Sequence, residues 1–178
     1  MREIRLPDGK TAFIRNAQKS DARGIIEYIN IIANETDYLT FGPGQFTKSI
    51  TEEEQYIDNI SRQNNSLLIV AEVNNLIVGN LNFLGNVKPR TRHAGEFGVS
   101  VLKEYWKKGI GEALINYLID WCRESKIIRK INLRVRTDNY PAVRLYKKLN
   151  FIEEGTIQRE FQINGKFYDS IHMGLIID

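Results

Sequence analysis

Val99-Ser100-Val101-Leu102-Lys103-Glu104-Tyr105-Trp106-Lys107-Lys108-Gly109-Ile110-Gly111-Glu112-Ala113-Leu114-Ile115 changes character twice along its length. Val99 and Val101 alternate with Ser100 as in a strand, and from Ile110 onward the apolar residues recur every three or four positions, as on one face of a helix. The stretch therefore predicts a strand, a tight turn holding Gly109 and Gly111, and an amphipathic helix. The first N–H groups of a helix lack intrahelical partners and lie at the positive end of its dipole. Glycine there lets an oxyanion approach the main chain closely. Such a turn suits phosphate, and it equally suits a plain change of direction. Two familiar phosphate loops do not fit this turn: Leu114 stands where Gly-x-Gly-x-x-Gly needs its last glycine, and neither Gly109 nor Gly111 is followed by Lys-Ser/Thr.

The chain around this stretch has 178 residues, enough for one domain that buries roughly 70% of its unfolded surface. Its 25 Lys and Arg against 22 Asp and Glu are scattered, so nucleic acid is not an expected partner. Cys122 is the only cysteine and Met1-Arg2-Glu3-Ile4-Arg5 has no signal-peptide core, which predicts a cytoplasmic protein. No apolar run reaches the ~18 residues of a membrane span. His93 and His172 lack clustered ligands at metal spacing, so no metal is expected, and Cys122 falls on an apolar helical stripe as a buried thiol.

Arg2 to Ala17 predicts a hairpin about Pro7-Asp8-Gly9-Lys10. A helix from Ser20 to Ala33 follows, with Ile25, Ile26, Ile29 and Ile32 on one side. Asn34 to Lys48 is a loop of the length that often lines a binding site. Ser49 and Glu52 form a capping box for a helix ending near Gln63. Strands at Ser66 to Glu72 and Leu76 to Leu84 flank an Asn74-Asn75 turn, and a third runs from Ala94 to Leu102. The helix from Gly109 to Ser125 aligns Ile110, Leu114, Leu118 and Cys122 as a core stripe. A strand at Ile131 to Arg136 has one polar face, a helix spans Asn139 to Leu149, and a hairpin from Phe151 to Ile177 turns at Asn164-Gly165. The sum is one mixed α/β (α+β) domain over residues 1–178.

Two motifs carry a resemblance. Trp106-Lys107-Lys108-Gly109-Ile110-Gly111 is similar to the acyl-CoA signature Gln/Arg-x-x-Gly-x-Gly/Ala of the GNAT superfamily of N-acetyltransferases, with Trp106 where Gln or Arg is usual. Asn139, Ala142, Leu145, Tyr146, Lys148, Asn150 and Phe151 resemble its Asn-x-x-Ala-x-x-Leu-Tyr-x-Lys-x-Gly-Phe, with Asn150 in place of Gly. The resemblance covers nearly the whole chain. It implies a mostly antiparallel sheet whose two central strands splay into a V, with acetyl-CoA as co-substrate in it. It places the pyrophosphate on Lys107, Lys108, Gly109, Ile110, Gly111 and Glu112, and a carbonyl-polarising main-chain N–H among Val99, Ser100 and Val101.

By the same resemblance Tyr146 is the general acid, although its helical spacing also suits a core aromatic. Glu96 lies on the strand walling the V and is read either as the base or as a solvated or salt-bridged carboxylate. Asn139 matches a cofactor-contacting position and is also a helix cap. The function implied is transfer of an acetyl group from acetyl-CoA to a primary amine of a small molecule or peptide. The alternative is a non-catalytic acyl-CoA-binding sensor or interaction module. The acceptor is expected between Glu35–Phe46 and Ile157–Tyr168, where Glu35, Asp37 and Asp169 offer negative charge, and a homodimer is compatible with the family.

Overall fold

The computed structural model describes residues Met1–Asp178 as one twisted eight-stranded sheet with four helices. The strands are β1 (Arg2–Arg5), β2 (Thr11–Asn16), β3 (Leu67–Val73), β4 (Leu76–Gly85), β5 (Ala94–Val101), β6 (Lys130–Arg136), β7 (Ile152–Ile163) and β8 (Lys166–Ile176). The helices are α1 (Ala22–Glu35), α2 (Ile50–Ser61), α3 (Ile110–Ser125) and α4 (Tyr140–Lys148). Spatial order is β1-β2-β3-β4-β5-β6-β8-β7, antiparallel throughout except for the parallel pair β5 and β6. This is the mixed, mostly antiparallel sheet that the resemblance implies, and its one parallel pair lies at the centre.

The turns come from residues that tolerate positive φ. Asn74 and Asn75 sit at 50° and 64°, and Asn164 and Gly165 at 50° and 78°, the twisted geometry that joins adjacent antiparallel strands. Ser49 caps α2 by accepting the Glu52 N–H, while the Glu52 carboxylate returns to the Ser49 N–H. The first helix begins two residues later than its periodicity predicts, because Lys19–Asp21 forms a 3-10 turn held by Asp21 on the Gln18 N–H.

Two cores lie on the two faces of the sheet. On one, Ile110, Leu114, Leu118 and Cys122 of α3 are sealed against alternate residues of β2 to β5, including Ile14, Ile69, Leu81 and Phe83. On the other, Ile25 of α1 and Ile57 and Ile60 of α2 cover Leu68 and Val70. Covering on both faces explains why β3 reads as a nearly unbroken apolar run. The α1 stripe also includes the buried Tyr28, whose hydroxyl lies 2.7 Å from the Ser100 hydroxyl. The strand at Ile131 to Arg136 departs from its expected polar face at one point: Arg136 is buried.

Candidate active site

The cleft starts where a ladder stops. β5 and β6 pair only at Ala94↔Lys130, Gly95↔Ile131 and Glu96↔Asn132, after which β5 follows β4 and β6 follows β8. The strands thus part between Phe97–Val101 and Leu133–Arg136. The Leu102 N–H donates to the Val78 carbonyl and the Asn86 N–H to the Ala94 carbonyl, both at 2.9 Å, so the even-numbered positions of β5 face β4. In an antiparallel ladder the intervening residues then face away. Val99 and Val101 direct their main-chain groups into the gap. Ser100 faces the other way, its backbone toward Asn80 and its hydroxyl against Tyr28, which narrows the expected main-chain donors to the two valines.

At the wide end of the gap the chain turns into α3. The six consecutive N–H groups from Lys107 to Glu112 have no acceptor in the protein. Lys107 at φ 62° and Gly109 at φ 86° alternate the backbone into a concave nest of donors, a shape that binds anions. Space over Gly109 is open, and a Cβ there would meet nothing within 4 Å. The expected turn glycine Gly111 is instead inside the first turn of α3. The Lys108 ammonium is drawn away to Asp8 at 2.8 Å, and the Glu112 carboxylate bonds Lys148 at 2.7 Å. Main chain rather than charged side chains therefore forms the cradle, and its unmet donors fit a pyrophosphate.

Tyr146 stands beside the opening. Asn139 caps α4 by accepting the Ala142 N–H, and Pro141 occupies the first turn, where its missing N–H costs nothing. The helix so started places the Tyr146 ring edge-on to Phe97 and Phe151, each 6.0 Å between centroids. Phe97 is the first residue beyond the last β5–β6 pair. The Tyr146 hydroxyl has no protein partner yet is not sealed, since Asn82 Oδ1 is the only fully buried side-chain oxygen or nitrogen left unbonded. Burial pushes its pKa up to about 12, so it holds its proton at neutral pH.

Glu96 is salt-bridged. Its Oε1 accepts both Nε and Nη2 of Arg134 at 2.8 Å, while Arg134 Nη1 bonds Glu160 at 2.6 Å. Glu160 reaches this ladder because β7 bulges by two residues between Ile157↔Ser170 and Phe161↔Tyr168, with Arg159 at φ 54°. Burial alone would raise the Glu160 pKa, but the Ser170 hydroxyl and Arg134 hold it below the usual carboxylate value. Asp169 accepts the Arg159 N–H within the bulge at 2.8 Å, and Glu35 accepts the Lys103 N–H at 2.7 Å. Two of the three acidic groups expected to attract an amine thus already serve as backbone caps.

Arg136 is the residue the sequence did not single out. It is 4% exposed, bonds Asp138 through Nε and Nη2 at 3.0 and 2.6 Å, and donates Nη1 to the Asp37 carbonyl at 2.9 Å. Its guanidinium lies 3.8 Å from the Tyr168 ring centroid and 4.8 Å from that of Tyr38. One cation thereby fastens the loop after α1 to β8 at the mouth of the gap. The one signal in the sequence was a second arginine two positions after Arg134 on the polar face of β6. Cys122 is sealed and its thiol is pushed up to about 12 by burial, so it is inert, and no three metal-ligating side chains gather anywhere.

Residues 32–151 match the family model described as Acetyltransferase (GNAT) family. The chain belongs to the GNAT family. It is an acyltransferase of the N-acetyltransferase kind, with acetyl-CoA as co-substrate. An acetyltransferase of GNAT family from Streptococcus pneumoniae superposes with a TM-score of 0.91 at 31% identity, covering 94% of this chain and 99% of that one. The L-amino acid N-acetyltransferase AaaT of Escherichia coli is 32% identical over 108 residues, 61% of this chain and 67% of its own. The spermidine N(1)-acetyltransferase of Vibrio cholerae is 26% identical over 160 residues, 86% and 88% of the two chains. A Salmonella typhimurium protein solved with acetyl-CoA shares the fold at a TM-score of 0.82 and 22% identity, covering 94% of each chain.

Proposed function

We propose that residues 1–178 act as one N-acetyltransferase domain that joins the acetyl group of acetyl-CoA directly to a primary amine at the mouth of the β5–β6 gap. The observation that carries this reading is the pairing of two features in one cleft: six unmet N–H donors at Lys107–Glu112 and an unpartnered Tyr146 hydroxyl. Bound acetyl-CoA supplies an activated thioester, and the chain supplies the rest. The nest holds the pyrophosphate, and the Val99 N–H donates to the carbonyl oxygen where negative charge builds during attack. The Tyr146 hydroxyl donates to the departing sulfur. Glu96 Oε2, which has no protein partner, accepts the proton that the amine gives up, directly or through water. Arg134 holds that carboxylate in place.

The acceptor enters between the Thr36–Lys48 loop and the β7 bulge, beside the point where Arg136 fastens that loop to Tyr168 of β8. Amino acids, polyamines and polypeptide amino termini are the candidate acceptors, following the names of the relatives. The protein works in the cytoplasm, a reading supported by its single, buried cysteine, and by the absence of any helix long and apolar enough to cross a membrane. Homodimers would form through the edge strand β7, which pairs with β8 alone and exposes Ile152 and Ile157.

The test is thiol release from acetyl-CoA by the purified protein against L-amino acids, spermidine and short peptides. Turnover on one amine class supports the reading and names the acceptor. Tight binding of acetyl-CoA with no turnover on any of them would instead identify an acyl-CoA sensor.

A further inference from the structure

Trp106 occupies the position where the acyl-CoA signature carries Gln or Arg, and it does something specific there. Its indole Nε1–H donates to the Val101 carbonyl at 2.6 Å while the residue remains 43% exposed. Val101 is one of the two residues whose main chain faces the gap, so this bond joins the strand that lines the gap to the turn that builds the donor nest. The turn's other ties lead elsewhere, with the ring of Tyr105 buried in the main core. Lys103–Tyr105 makes one 3-10 turn, the Lys103 N–H is held by Glu35, and Lys108 is held by Asp8. Both of those reach outward, to α1 and to the β1–β2 turn. Trp106 alone among these side chains ties the turn back to β5, and it directly precedes Lys107, the positive-φ residue at which the six free N–H groups begin.

We propose that Trp106 is a positioning residue for acetyl-CoA: its bond to the Val101 carbonyl fixes the direction of the Lys107–Glu112 donors relative to the gap, and its exposed ring walls the entry to the nest. The bond also satisfies an outward-facing carbonyl on the gap edge, which leaves Val99 as the residue whose N–H and carbonyl both remain open to an extended ligand arm. An indole thus does here, through main chain, what a polar or cationic side chain at this position would do by reaching a ligand. The inference rests on the placement of acetyl-CoA proposed above, and it adds a role that no charged group fills.

The test compares Trp106→Phe, which keeps a ring and removes the donor, with Trp106→Gln, which keeps a donor and removes the ring. Trp106→Phe is expected to raise KM for acetyl-CoA about tenfold, the worth of a hydrogen bond near the upper end of its usual net range, with kcat and the amine KM within about twofold. Trp106→Gln is expected to recover part of that loss. Because Trp106 and Trp121 are the only tryptophans, a Trp121→Phe protein reports on Trp106 alone, and its emission is expected to change on titration with CoA. That readout needs no turnover and stands even if Trp106→Phe folds poorly. An unchanged KM in a folded Trp106→Phe, or silent emission while calorimetry records CoA binding, overturns the role of Trp106. No CoA binding to the wild-type protein overturns the placement of acetyl-CoA instead.

Discussion

Tyr146→Phe removes one oxygen and nothing else the fold uses. The hydroxyl has no protein partner, so its loss strands no donor or acceptor, and the ring keeps its edge contacts with Phe97 and Phe151. Stability should therefore change by less than about 0.5 kcal/mol, as for substitutions away from any specific contact. Catalysis should change far more. A hydrogen bond to a charged partner contributes about 1.5–3 kcal/mol, or roughly tenfold to 150-fold in rate. Complete proton transfer is a smaller part of this. With the phenol pushed up to about 12 and a thiol near ~8.5, transfer to free thiolate is uphill by about 5 kcal/mol. In the proposed mechanism the hydroxyl therefore stabilises charge on the sulfur first and passes its proton as the amine releases one. Steady-state thiol release, with thermal melting alongside, measures both effects. The expected variant has kcat lowered at least tenfold, KM for acetyl-CoA within twofold and an unchanged melting point. A kcat within twofold of wild type, or a loss matched by unfolding, would refute the reasoning.

Gly95→Ala should cost about 2–3 kcal/mol in urea denaturation, since its Cβ would lie 2.4 Å from Phe83 Cζ and 2.5 Å from the Leu84 carbonyl, whereas Gly98→Ala, with open space around it, should leave the midpoint unchanged. Burial opposes ionisation of Asp21, but Arg15 and the Gln18 N–H outweigh it and hold its pKa below 3.8. A depressed carboxylate stabilises the fold fully above its unfolded pKa, and that contribution is lost as pH falls through the lower folded value. Urea unfolding at about pH 6 and about pH 2.5 should then show the gap between wild type and Asp21→Asn closing at the acid end. Arg136→Gln, which frees Tyr38 from Tyr168, should raise KM for the amine on the order of tenfold through the lost cation–π contacts and leave KM for acetyl-CoA alone.

Features set by neighbours in sequence could be read in advance. The Ser49–Glu52 box, the Asn74-Asn75 and Asn164-Gly165 turns and the Ile110-Leu114-Leu118-Cys122 stripe each depend on residues a few positions apart, and each formed where expected. Asn150 takes the left-handed conformation at φ 67° that its place at a helix end demands. Strand order was not available from periodicity, because alternation is the same whichever partner a strand finds, and the family motifs supplied only the splayed central pair. The site shows the same division. The donor nest and Tyr146 were visible as motifs, but the Glu96–Arg134–Glu160 ladder joins residues 38 and 26 positions apart and needs the β7 bulge to close. Arg136 reaches Asp37 across 99 positions, and the Trp106 bond depends on which way Val101 faces. None of these follows from the local pattern.

Amide chemical shifts during titration of the isotope-labelled protein with CoA test the central claim most directly. The account predicts shifts at the N–H groups of Lys107 to Glu112 and at Val99 and Val101, with little change at Ser100, whose N–H faces β4. Shifts confined to other surfaces, such as the polar hollow lined by Gln63, Asn65 and Arg92, with the nest unmoved, would contradict it.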